Sequence, residues 1–187
     1  MEVNENIIEH YGLTESDWNI TMGSFVPENM IANGSFLKQG SISDKVGFVK
    51  SGVLRSFFYD DNANEVTTQF YQSGSLVISF DSFNNQIPSM ENIVAVDDSE
   101  LFVISYQKLK ELYLSVPVWQ QICKDMADRK SNDLVARSVQ LQTLSATERY
   151  QQFCRQYPEV AKKSALRHIA SYLGIDIATL SRIRKKK

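Results

Sequence analysis

Two cysteines, Cys123 and Cys154, and two histidines, His10 and His168, are all that this 187-residue chain offers to thiol or imidazole chemistry. Two thiols exclude a disulfide framework, an all-cysteine zinc site and a four-cysteine iron–sulfur cluster. Two imidazoles cannot supply the several histidines that a metal-dependent cupin barrel requires. No apolar run reaches the roughly 18 residues of a membrane-spanning helix. The opening MEVNENIIEHYG is acidic and mixed, so no secretory leader is expected. A Gly-rich phosphate loop of the dinucleotide or P-loop type is missing, and so are internal repeats. Carboxylates are plentiful at Asp60, Asp61, Asp97 and Asp98, but they sit in turn clusters with no His, Lys or Cys placed to make a nucleophile. These shortages predict a non-enzyme in a reducing cytoplasm, with no metal and no membrane.

What the chain does have is enough apolar content, 43% against 22% charge, to bury the core of one large domain or two small ones. The net charge is only −2, but it is unevenly placed. From Ser145 onward ten Lys or Arg face three acids, a balance of +7, while residues 1–144 carry −9. A solvated tail would explain part of this. Without Lys185, Lys186 and Lys187 the module is still +4. A basic module on an acidic body suits a polyanionic partner at one end.

The order of elements points to an α+β chain. Ile7, Ile8 and Tyr11 at helical spacing, then the cap signal Thr14-Glu15-Ser16-Asp17, predict short helices in the first 25 or so residues. Residues 36–105 change to short β-rich runs at 46–50, 53–59, 66–71, 76–80, 92–96 and 101–105, with a turn cluster at 60–64. Even spacing of short strands predicts an antiparallel roll of the jelly-roll kind. Helical periodicity returns at 107–114 and again at 117–142, where Pro117 fits only a first turn. A helix this long often pairs with its twin, here with Val118, Ile122 and Met126 facing inward. The capping box Ser145-Ala146-Thr147-Glu148 opens the next helix, so the domains are expected at 1–142 and 143–187.

The most specific signal is SALRHIASYLGIDIATLSRIRK at 164–185. A helix-turn-helix needs a small residue where its helices cross, a residue tolerant of left-handed backbone between them, and apolar residues at fixed offsets. Ala170, Gly174, Leu180 and Ile183 meet these needs together, with Ile169, Leu173 and Ile175 completing the buried face. Asp176 suits the N-cap of the second helix. That helix would present Ile177, Ala178, Ser181 and Arg182 to a major groove. Arg182 suits either guanine O6 and N7 or a phosphate. Lys162, Lys163, Ser164, Arg167 and the Thr179 and Ser181 hydroxyls suit contacts with the sugar–phosphate backbone of double-stranded DNA, and Arg184 and Lys185 add salt-dependent affinity.

An acidic β-roll, a long connecting helix and a C-terminal helix-turn-helix in that order resemble the Crp/Fnr family of bacterial transcription regulators. The resemblance rests on Ile169 to Ile175, Thr179 to Arg184, Ser51 to Arg55 and Ile104 to Tyr106, and is closest to a short subgroup of Bacteroidota type. It implies a cyclic-nucleotide-binding-like sensor roll with a dimerisation helix at 117–142 and a winged helix-turn-helix after it. It also implies a homodimer on a two-fold DNA site, and leaves room for an unidentified effector and for contact with RNA polymerase. In cyclic-AMP-binding members a Gly-Glu pair and a later Arg-Ser or Arg-Thr hold the ribose and the phosphate. Aligned on Ile104 to Tyr106, those positions are Gly74-Ser75 and Ser89-Met90, with a longer loop at 81–88 between them. With neither carboxylate nor guanidinium, cyclic AMP is not the expected ligand. Haem is not expected either, since the substitutes for an axial histidine are Met90, Cys123 and Met126, which read more simply as packing residues. The runner-up is a ligand-binding or protein-interaction module whose helix-turn-helix is vestigial.

Overall fold

The computed structural model describes residues 9–185; Ile7, Ile8, Lys186 and Lys187 lie outside them. Helix α1 (Glu15–Ser24) opens with the expected cap: Thr14 Oγ1 accepts from Asp17 N–H, and the Asp17 carboxylate accepts from Thr14 N–H. Eight strands then form two four-stranded antiparallel sheets. One has the order β1 (Val26–Met30), β8 (Ser99–Ser105), β3 (Lys45–Ser51), β6 (Leu76–Val77). The other has the order β2 (Ser35–Leu37), β7 (Asn92–Ala95), β4 (Leu54–Tyr59), β5 (Glu65–Tyr71).

Alternation along each strand divides the core in two. In β8, Leu101 and Val103 point between the sheets with Val49, Leu54 and Ile93, while Ile104 points outward beside its register partner Val46. That outer face is covered by α1, α3 (Tyr106–Ser115) and the first turns of α4 (Val118–Thr143). Trp119 fixes the arrangement: it is buried, and its Nε1–H donates to Thr21 Oγ1 on α1 at 2.7 Å.

Three expectations change here. Residues 78–80 do not continue a strand, because Phe80 begins a short helix, α2 (Phe80–Asn85), in the segment read as loop. Ile122 does not face a partner: it is fully buried in its own chain's core, with Val118 and Met126 packed beside it. What α4 leaves uncovered lies further along, at Leu134, Val135 and Val139, each more than half exposed. No wing is present either, since no strand follows Ser105 among the described residues.

The C-terminal module is helical throughout: α5 (Ala146–Gln156), α6 (Pro158–Lys163), α7 (Leu166–Leu173) and α8 (Ile177–Lys185). The Ser145–Glu148 capping box opens α5 as the sequence predicts. Helix α6 was not foreseen; Pro158 stands in its first turn, where its missing N–H costs nothing. The module is not a free appendage. Tyr150, Phe153, Val160, Ile169 and Leu180 share one apolar cluster with Val53 and Phe70 of the roll.

Candidate nucleic-acid interface and ligand cavity

Helices α7 and α8 form the helix-turn-helix by the route the sequence predicts. Ile169, Ala170 and Leu180 are almost wholly buried, so the two backbones meet at the alanine. Gly174 takes φ +63°, a left-handed conformation that costs L side chains roughly 1–2 kcal/mol. Its N–H donates to Ser171 O while Ile175 N–H donates to Ala170 O at 3.1 Å, the paired bonds of a Schellman ending. Asp176 caps α8: Oδ1 accepts from Thr179 N–H at 2.7 Å and Oδ2 from the Thr179 hydroxyl at 2.6 Å. These bonds to the charged form hold the Asp176 carboxyl below its ordinary range.

On this frame Ile177, Ala178, Arg182, Arg184 and Lys185 are exposed, and Ser181 is half-exposed. Arg182 does not wander over the surface. Its Nη2 donates to Thr179 Oγ1 at 2.9 Å, which holds the guanidinium toward the start of α8. The Thr179 hydroxyl is thus engaged on both sides, by Asp176 and by Arg182. Ser164 is 7% exposed with its hydroxyl buried, so it stands inside the module rather than on the face it was assigned to. Arg167 is exposed on α7, and its Nε donates to His168 Nε2 at 3.0 Å. Burial, reinforced by Arg55 and Arg167, pushes the His168 imidazole down to about 4, so it is neutral near pH 7.

The opposite side of α7 is docked on the free edge of β5. Ser171 Oγ accepts from Thr67 N–H at 3.0 Å and donates to Glu65 O at 3.3 Å. Arg137 of α4 donates to Thr68 O at 2.6 Å and Tyr172 O at 2.8 Å, with its guanidinium 4.1 Å from the centre of the Tyr172 ring. Lys163 pairs with Asp97 at 2.6 Å, so that cation faces the roll rather than the duplex backbone expected from the sequence. Glu65 pairs with the buried guanidinium of Arg55. Docking therefore uses α7 and leaves the outer face of α8 open.

The roll also holds a cavity of about 810 Å³ between β4, β5, α2 and α4. Ser89 and Met90 line it, Ser89 buried and Met90 at 77% exposure on the rim. Gly74 and Ser75 do not; they line a separate depression of about 420 Å³. The residue facing Ser89 is Ser79: both are buried and their hydroxyls are 3.3 Å apart. Ser89 Oγ also donates to Glu91 O at 2.9 Å. The sequence does not single out Ser79 because it falls in the run 76–80 that reads as a strand, whereas β6 ends at Val77 and Ser79 stands at the N-cap of α2. Nor does the sequence single out Lys130, the cation that α4 delivers to the cavity. Lys130 Nζ lies 5.3 Å from the centres of the Tyr71 and Phe80 rings. Burial lowers its pKa, against the pull of Glu91 and Asp133. Helical spacing from Ala127 to Leu134 was the signal that would have placed it. Among the described residues no cluster of three or more His, Cys, Asp or Glu could hold a metal, and no helix is long and apolar enough to cross a membrane.

Comparison with known proteins agrees with this architecture. Residues 29–115 match the family described as cyclic nucleotide-binding domain. No curated protein matches the chain by sequence. Among solved structures, the chain is similar to FixK2 from Bradyrhizobium japonicum, with a TM-score of 0.73 at 14% identity over 87% of this chain and 83% of that one. It is similar to CLP, the c-di-GMP-responsive global regulator of Xanthomonas campestris, with a TM-score of 0.67 at 17% identity over 92% and 91%. It also resembles a candidate transcriptional regulator of the Crp/Fnr family from Eubacterium rectale, with a TM-score of 0.71 at 19% identity over 100% and 87%. Residues 29–115 thus match the cyclic nucleotide-binding domain family, in a chain that shares its fold with these solved regulators.

Proposed function

We propose that the chain is a DNA-binding transcription regulator that works as a homodimer, reading a major groove with α8. The observation that carries this reading is the open face of α8, where Arg182 is held by Thr179 beside exposed Ile177 and Ala178. A guanidinium so placed pairs with guanine acceptors or a phosphate, while Arg184, Lys185 and Arg167 supply charge to the flanking backbone. The exposed Leu134, Val135 and Val139 on α4 support pairing with a second copy. Two recognition helices in a two-fold dimer then meet successive turns of the duplex.

The roll acts as the sensor, but its ligand is not cyclic AMP. The positions that the resemblance gives to a carboxylate and a guanidinium hold Ser75 and Ser89, Ser89 is bonded to Ser79 instead, and Lys130 is a single cation with Glu91 nearby. A cyclic phosphate buried there would lack its bidentate partner.

Fluorescence anisotropy with a selected pool of duplex fragments tests the reading. Binding is expected to weaken steeply with salt. Arg182→Ala should weaken it by about tenfold or more and flatten preference at one base position, and Lys185→Ala should lower the salt slope by about 1 without changing preference. Binding to no duplex at low salt, by a folded protein, would return the chain to the vestigial-module reading.

A further inference from the structure

A second, smaller cavity of about 180 Å³ lies on the other side of Phe80 and Ala127, which line both spaces. It sits between the outer face of the first sheet and helices α3 and α4, and its walls include Phe25, Phe48, Phe83, Trp119 and Met126. Protein interiors rarely keep voids larger than a water molecule. An apolar cavity of roughly 150 Å³ stays dry and takes up benzene. This one has room for a single ring with one small substituent, and not for a nucleotide.

We propose that this cavity is a binding site for a neutral, single-ring aromatic molecule of the phenol type. Its shape and its polar groups both lead there. Phe25 lies 5.8 Å from Trp119 and 5.7 Å from Phe48, ring centre to ring centre, in tilted geometries that offer edges as well as faces to another ring. The sulfurs of Met126 and Cys123 add polarizable contacts suited to a ring edge. The Trp119 N–H is already engaged by Thr21 and is not available to a ligand. The polar handle is instead the Tyr113 hydroxyl, hydrogen-bonded to the Cys123 thiol. Burial raises the pKa of both groups, so both keep their protons and can exchange that bond for one with a ligand hydroxyl. The charged lining residue, Lys124, is exposed at the rim, so an ionised ring acid would be buried without a partner. The site does not depend on the DNA-binding reading. Its occupant would stand between the roll and the α4 residues Cys123 and Met126.

Methionine methyl groups narrow the location: Met126 lines this cavity and the 420 Å³ depression, Met90 lines the larger one, and the Tyr113 and Cys123 variants separate the first two. The full chain, labelled at its methionine methyls, is titrated with phenol while carbon–proton spectra are recorded. The expected result is a saturable upfield ring-current shift of Met126 with an unmoved Met90, and a Kd on the order of 0.1–1 mM for a ligand this small. Cys123→Leu should weaken binding by tenfold or more by filling the space. Tyr113→Phe, which keeps the volume, should weaken phenol while leaving toluene unchanged. Lys130→Met, in the larger cavity, should leave the phenol affinity within twofold. No saturable shift, a shift of Met90 in place of Met126, or phenol binding indifferent to Tyr113→Phe would each overturn the proposal. Loss of duplex binding with the Met126 response intact would instead count against the regulator reading alone.

Discussion

Replacing Arg137 by alanine should loosen the helix-turn-helix from the roll without unfolding the roll. Its guanidinium donates to the Thr68 carbonyl at 2.6 Å and the Tyr172 carbonyl at 2.8 Å, and lies 4.1 Å from the Tyr172 ring centre. Hydrogen bonds from a charged donor contribute about 1.5–3 kcal/mol each, and a cation over a ring about 0.5–2 kcal/mol. Part of this is recovered by water once the side chain is gone, so Arg137→Ala should cost about 2–4 kcal/mol, most of it from docking. Arg137→Lys keeps the charge but loses the planar fork and the stacking, and should cost about half as much. The two tryptophans, Trp18 and Trp119, both belong to the roll and its covering helices. Tryptophan fluorescence in urea therefore follows the roll, while far-ultraviolet dichroism follows all the helices. In the wild type the two curves should coincide; in Arg137→Ala the dichroism curve should move to lower urea and the fluorescence curve much less. Tyr172→Leu removes the ring and spares the carbonyl, so a double-mutant cycle isolates the stacking. Coincident curves in Arg137→Ala, displaced by less than about 0.5 kcal/mol, would refute the assignment of Arg137 as a strut.

Three further outcomes are expected. Gly174→Ala, at φ +63° with its new Cβ 3.3 Å from Leu141 Cδ2, should lose about 1–2 kcal/mol, read as a lower midpoint in thermal melts. If the chain pairs as proposed, the wild type should sediment at twice 21.3 kDa, and Leu134→Arg, which places a charge on the open stripe of α4, should bring it down to 21.3 kDa in analytical ultracentrifugation. The His168 imidazole is pushed down to about 4 by burial and by Arg55 and Arg167, below its ordinary 6.5. In that window the unfolded chain binds more protons than the folded one, so stability should be full above pH 6.5 and fall as pH drops toward 4. His168→Gln should flatten the slope in urea titrations repeated across that range.

The helix-turn-helix was legible because backbone geometry demands particular residues at particular offsets: a left-handed turn at Gly174, a close crossing at Ala170, a cap at Asp176. The strands from 45 onward were legible by alternation and by the Asp60–Asn64 turn, whose Asp60 carboxylate accepts from Asn62 and Asn64 N–H. Helix α2 was not, since six residues with Ser82 and Phe83 buried give too few turns for a helical period to show. The near half of α4 was assigned to the wrong partner for a different reason. Val118, Ile122 and Met126 do form an apolar stripe, but a stripe specifies burial, not whose core does the burying. Ser164 was misread in the same way, because a hydroxyl at the start of a helix looks outward in sequence and here turns in. The cavity was the least legible part, for Ser79, Ser89 and Lys130 meet only through the fold.

The docking of α7 on β5 has a consequence for any movement of the C-terminal module. β5 is the last strand of its sheet, and an uncovered strand edge invites pairing with other chains. Here Thr67 N–H and the Glu65 and Thr68 carbonyls are satisfied by two side chains, Ser171 and Arg137, rather than by another backbone. Side-chain bonds of this kind can be traded one at a time for water, which a continuous ladder cannot do. Departure of the module would therefore tear no sheet: its cost is the exposure of Val53 and Phe70 in the shared apolar cluster, and beside them it would uncover a short run of strand edge.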